Sequence, residues 1–139
     1  GKTRLNTGLW NDTDRRVYLT RMAASSVEAS LTNPKVVVVD CLTTHWMREF
    51  LSDQILKICP TLPIGFILLE RELSFLEVTQ IAHLRQQTGH PLDPETLLKF
   101  RSAFEPWDST KIPCAVVTNP GNGQLEVLLE RTRQAIQSL

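Results

Sequence analysis

The chain has 139 residues, enough for one compact domain of common size, and sets 15 Lys+Arg against 15 Asp+Glu. With no excess charge, nothing in the composition draws it toward nucleic acid or an anionic membrane surface. Its longest apolar runs, at 36–39 and 64–69, fall far below the ~18 residues that a spanning helix requires, so no membrane partner is expected.

In chain order, residues 1–13 are polar, carry Gly8 and Asn11, and predict a loop. From 14 to 30, Leu19, Met22, Ala23 and Ser26 recur at helical spacing, and Asn33-Pro34 ends the pattern. The four valines 36–39, closed by Asp40, predict a strand covered on both faces, as in a parallel sheet. Met47, Phe50, Leu51, Ile55 and Ile58 make one helical stripe, which Cys59-Pro60 terminates. A second buried strand is predicted over 64–69. Phe75, Val78, Ile81 and Ala82 then mark a helix running into Arg85. Asp93-Pro94 is a cap with proline at the first helical position, and Leu97, Arg101 and Phe104 continue that helix. Residues 114–118 predict a third strand, 119–123 a turn cluster, and Leu125, Leu128, Leu129, Thr132, Ala135, Ile136 and Leu139 a final amphipathic helix.

This alternation is that of an α/β domain spanning 1–139, with a parallel sheet. Ligands in such sheets bind beyond the carboxyl ends of the strands, here Asp40–Thr43, Glu70-Arg71 and Asn119-Pro120. Between the last two predicted strands lies Arg85, then Gly89-His90-Pro91, an arrangement that reads as a basic flap over a polyphosphate. Cys41, Cys59 and Cys114 lack CxxC spacing, a pattern of reduced thiols rather than of disulfides or a zinc site. The polar amino terminus shows no secretory signal, which gives a cytoplasmic expectation.

Gly8 with Asp12, Asp14 and Arg15, the valine run with Cys41 and Arg48, and Arg85, Gly89 and His90 before Phe104-Glu105-Pro106 form an ordered series. Together with Val117-Thr118-Asn119-Pro120 it resembles the small-molecule kinases of the P-loop superfamily, above all the gluconate kinases, with polynucleotide-kinase-like enzymes second. The resemblance implies a three-layer parallel sheet with helices on both faces. It also implies ATP and Mg2+ as cofactors and phosphoryl transfer to a hydroxyl of a small polar metabolite such as a sugar acid. The family's G-x-x-x-x-G-K-[ST] loop is absent; Gly1-Lys2-Thr3 carries only its last letters, and His45 stands where the family has Lys. The chain therefore reads as the carboxyl-terminal portion of a longer kinase fold, or as a domain rebuilt without its first strand. In either case a homo-oligomer or an amino-terminal segment is expected to cover the sheet edges.

The resemblance assigns Asp40 and Arg85 to catalysis. Asp40 would hold Mg2+ through water, and is equally a strand-end carboxylate capping the next helix. Arg85 would grip phosphate oxygens, and is equally a solvated helix-end arginine. Asp14, Arg15, His45 and Arg48 are the candidate acceptor-binding residues, although Asp14 is also a good helix N-cap, and His45 and Arg48 lie one turn apart as on a wet helix face. Arg85, His90, Asn119 and Pro120 are the candidate nucleotide contacts, and no residue is assigned as a direct protein ligand to a metal. A catalytically inactive kinase-like module with a regulatory or protein-interaction role is the alternative, motivated by the missing loop and by His45. A receiver-like domain is disfavoured, because Asn119-Pro120 stands where a lysine would be needed.

Overall fold

A computed structural model describes residues 11–40, 42–70, 74–89, 94–106, 111–121 and 123–139. The readings at Lys2, Thr3, Gly8, Cys41, Arg71, His90, Asp93 and Trp107 lie outside the described residues. In order, the elements are α1 (Asp12–Ser30), α2 (His45–Ile58), β1 (Phe66–Glu70), α3 (Phe75–Gln87), α4 (Pro94–Ser102), β2 (Cys114–Thr118) and α5 (Leu125–Ser138). The chain is thus α/β with a small parallel sheet, two strands of which fall among the described residues. It divides into two compact units, Gly1–Leu62 with Glu77–Pro106, and Pro63–Leu76 with Trp107–Leu139.

In the first unit α1 starts two residues earlier than the apolar pattern implies, because Asn11 supplies the cap. The Asn11 side chain accepts from the Asp14 backbone N–H at 2.9 Å, and the Asp14 carboxylate accepts from the Asn11 N–H at 3.4 Å. This is a closed capping box, so Asp14 sits at the third helical position and is not itself the cap. Leu19, Ala23 and Val27 recur every four residues, and all three are buried. They form the buried stripe of α1, which packs on α2, whose buried positions are Arg48, Leu51, Ser52 and Ile55.

The valine run does not form the predicted strand. Residues 35–40 adopt no regular secondary structure and make no backbone hydrogen bond among the described residues. Valines 36, 37, 38 and 39 are 39, 72, 41 and 90% exposed. A β-branched run fits a pleated, half-buried surface, but it becomes a strand only where another backbone completes its hydrogen bonds.

In the second unit β1 and β2 pair in parallel, from Phe66 opposite Cys114 to Glu70 opposite Thr118. The ladder is extended at one end by Phe66 N–H donating to Pro113 O at 2.9 Å, and at the other by Asn119 N–H donating to Glu70 O at 2.7 Å. Strand β2 has the predicted bounds, whereas β1 starts two residues later and ends one residue later than the predicted 64–69. Gly65, just before it, lies where a Cβ would come 3.0 Å from Leu139 Cδ1, a close approach of the chain end that a side chain would crowd. Helix α5 packs on β2 and β1, with Val117 and Ala135 the buried residues described in this unit. Cys59 and Cys114 are free thiols.

Candidate functional site

The most connected polar cluster gathers at the amino-terminal end of α2. Its N-cap residue, Thr44, makes no side-chain capping bond, and a distant carboxylate takes that role. One oxygen of Glu105 accepts from the His45 backbone N–H at 3.2 Å, and the other lies 3.4 Å from His45 Nε2. A negative charge there is favourable, because the first turn of a helix exposes unpaired N–H groups and the positive end of its dipole. The Glu105 N–H in turn donates to Thr43 O at 2.7 Å.

Arg48, one turn into α2, closes the same cluster from below. Its Nε donates to Leu42 O at 2.8 Å, and its Nη2 donates to Thr43 O at 3.2 Å and to Glu105 O. The guanidinium carbon lies 5.3 Å from the centre of the Phe104 ring. With only 3% of Arg48 exposed, the residue belongs to the interior and not to a wet helix face. The structure therefore brings together two predicted residues, His45 and Arg48, and joins them to Glu105, which had been read only as part of the Phe-Glu-Pro segment. The sequence carries no signal for Glu105, because Thr44 at the N-cap reads as a cap of its own and only the structure shows that it makes no capping bond.

Asp40 lies at the end of the valine run and is exposed. Its Oδ2 accepts from Tyr18 Oη at 2.6 Å, a bond from α1 across 22 positions, and its Oδ1 has no hydrogen-bond partner among the described residues. Tyr18 was missed by sequence reasoning, because a tyrosine on a helix next to a core leucine carries no sign of a partner. Asp14 and Arg15 remain on the first turn of α1, where Asp14 completes the capping box and Arg15 pairs with Asp12 at 3.1 Å. Nearby in sequence, Arg16 stacks on the Trp46 ring at 5.3 Å.

Arg85 is exposed in the last turn of α3, and no hydrogen bond or ion pair joins its side chain to Asp40. Thr88 and Gly89 then close the helix, with Gly89 at φ +93°, a left-handed conformation that favours glycine. In the second unit, Asn119 follows β2. Its Oδ1 accepts from Gly121 N–H at 3.0 Å, forming a side-chain-braced turn, and Pro120 is half-buried beside it. Arg131 Nη1 donates to Thr118 O at 2.8 Å, which brings a cation to the carboxyl end of β2. Arg131 was not singled out from the sequence, since it reads as one more charge on the outer face of an amphipathic helix.

Among the described residues no three His, Cys, Asp or Glu side chains are grouped to hold a metal. A hydrated Mg2+ needs only one or two carboxylates, because it keeps several of its waters, and the open oxygen of Asp40 has the chemistry for that. No described helix is long and apolar enough to cross a membrane. The chain matches no family model, no curated protein and no solved structure.

Proposed function

We propose that the chain is an ATP-dependent phosphotransferase of the P-loop-kinase kind, or the carboxyl-terminal part of one, acting on a hydroxyl of a small polar metabolite such as a sugar acid. The three-layer sheet belongs to this proposal. The observation that carries it is the parallel pairing of β1 with β2, which aligns Glu70 with Thr118 and leads straight into Asn119-Pro120. Parallel strands need crossover connections, and their carboxyl ends are where open α/β sheets bind nucleotides. On the kinase resemblance, Asn119 and Pro120 would border the base, Asp40 would hold hydrated Mg2+, and Arg85 before Gly89 and His90 after it would supply the cations of the flap. Mg·ATP, when bound, supplies the transferable phosphoryl group and part of the charge neutralisation. The chain's own residues hold, orient and shield it. Asp14 and Arg15 would meet the acceptor.

A second reading, a catalytically inactive kinase-like module with a regulatory or protein-interaction role, is favoured by one specific observation. The guanidinium of Arg48 is buried on three main-chain carbonyls and His45 faces Glu105, so neither is presented as an acceptor-binding group. Titration calorimetry with Mg·ATP, followed by phosphate-transfer assays on a panel of sugar acids and polyols, separates the two. Micromolar binding with turnover is expected for the kinase. The absence of heat with ATP refutes it and leaves the inactive module.

A further inference from the structure

We infer that residues 35–40 pair with the same residues of a second copy of this chain, antiparallel about a two-fold axis, as a strand that one copy alone leaves incomplete. This stands apart from the phosphotransferase reading and does not rest on it.

The valine run is shaped for such a partner. Valines 36 and 38 are less exposed than 37 and 39, an alternation with the period of a strand. Asp40 falls on the side of 36 and 38, and its bond from Tyr18 turns the end of that side toward α1. From 35 to 40 no main-chain group is hydrogen-bonded to another among the described residues, and Pro34 stands outside the run. An extended backbone with bare N–H and C=O groups and no internal proline is a template for another strand.

The flanking charges select the occupant. Lys35 opens the run and Asp40 ends it, both exposed, with no charge between them. Read backward, Lys-Val-Val-Val-Val-Asp is its own electrostatic complement. Antiparallel pairing of two copies, with residue 37 or 38 on the axis, brings Lys35 of each within one position of Asp40 of the other. Parallel pairing would instead set Lys35 beside Lys35 and Asp40 beside Asp40. The two-fold axis keeps like sides together, so both α1 helices lie on one side of the ribbon and the 37 and 39 side chains of both copies gather on the other.

Sedimentation equilibrium of the full chain tests this, with the thermal transition of each variant as the check on folding. The wild type is expected to show a concentration-dependent equilibrium between monomer and dimer. Each edge of the run carries the N–H groups of alternate residues, so either Val37→Pro or Val38→Pro removes a ladder donor from both copies. That variant should weaken the dimer about ten-fold or more. Lys35→Glu and Asp40→Lys should each dimerise about five-fold or more weakly on their own. Their equimolar mixture should recover a dimer, because the two variants carry complementary ends. A wild type that stays monomeric up to its solubility limit would overturn the inference, even if the run took up some other extended peptide. A dimer weakened by neither proline variant would place the interface on another surface and overturn it. A mixture no tighter than its separate components would exclude the antiparallel arrangement, and the inference with it.

Discussion

Replacing Arg48 by methionine tests whether this residue holds the α2 cluster together. Methionine keeps most of the stem volume and removes the three donated hydrogen bonds to Leu42 O, Thr43 O and Glu105 O. Buried charged groups can often be exchanged for apolar ones at little cost when their partners are exchanged with them. Here the partners are main-chain carbonyls, which no side-chain substitution removes. Thr43 O keeps the Glu105 N–H as a donor, so two carbonyls, Leu42 O and Glu105 O, are left without one. At about 1 kcal/mol for each, and with some relief from no longer burying a guanidinium, the net loss should be about 1–2 kcal/mol. For a chain of this length that corresponds to a fall in Tm of roughly 3–7 °C. Arg48→Lys should lose about half as much, since one ammonium cannot span all three acceptors. Thermal unfolding followed by circular dichroism measures the loss. Hydrogen exchange at the Glu105 amide, which donates to Thr43 O, shows whether it is local. If Arg48→Met unfolds within about 0.5 kcal/mol of the wild type and the Glu105 amide keeps its protection, the cluster is not what anchors 104–106 to α2.

Leu19→Ala removes the most buried large side chain of α1 and should cost about 2–5 kcal/mol in urea titration, with the helix content unchanged. Gly89→Ala meets no atom within 4 Å, so its expected loss of about 1 kcal/mol is purely conformational and should appear as faster exchange at the end of α3. On α5, the hydrogen bond from Arg133 holds the Glu130 carboxyl below the usual carboxylate range, with the Arg133 charge adding to it. A lowered folded-state value means that the stabilisation is present above the unfolded carboxylate value and is lost as the pH falls through the folded one. The difference in unfolding midpoint between wild type and Arg133→Gln should therefore be small at neutral pH. It should vanish on acidification and shrink in high salt, because the pair is fully exposed.

Local chemistry was enough to place the helices and β2, although α4 ends at Ser102, short of Phe104, which the sequence reading had included. Residues 114–118 are a short apolar run between Pro113 and Asn119-Pro120, whose prolines lack the N–H that a longer ladder would need, so pattern and structure share their bounds. Of the positions read as the stripe of α1, Leu19 and Ala23 are buried and Met22 and Ser26 half-buried, while buried Val27 lay outside the pattern read from the sequence. The α/β class follows from these pieces in order.

Partners far along the chain were not legible. Four valines in a row announce a strand, yet a strand is completed only by a second backbone, and nothing within 36–39 encodes which one. Arginine at 48 reads as a surface charge. Leu42 O and Thr43 O lie just upstream, but the third carbonyl, Glu105 O, arrives only when residues 104–105 pack against α2, and together they make its burial tolerable. The Glu105 carboxylate on the His45 amide, the Tyr18 hydroxyl on Asp40, and Arg131 on Thr118 O are likewise long-range encounters. Periodicity and capping act over a few residues and are written into the chain. Hydrogen bonds across 13 to 60 positions depend on where whole helices and strands come to rest, and that is settled only when they pack.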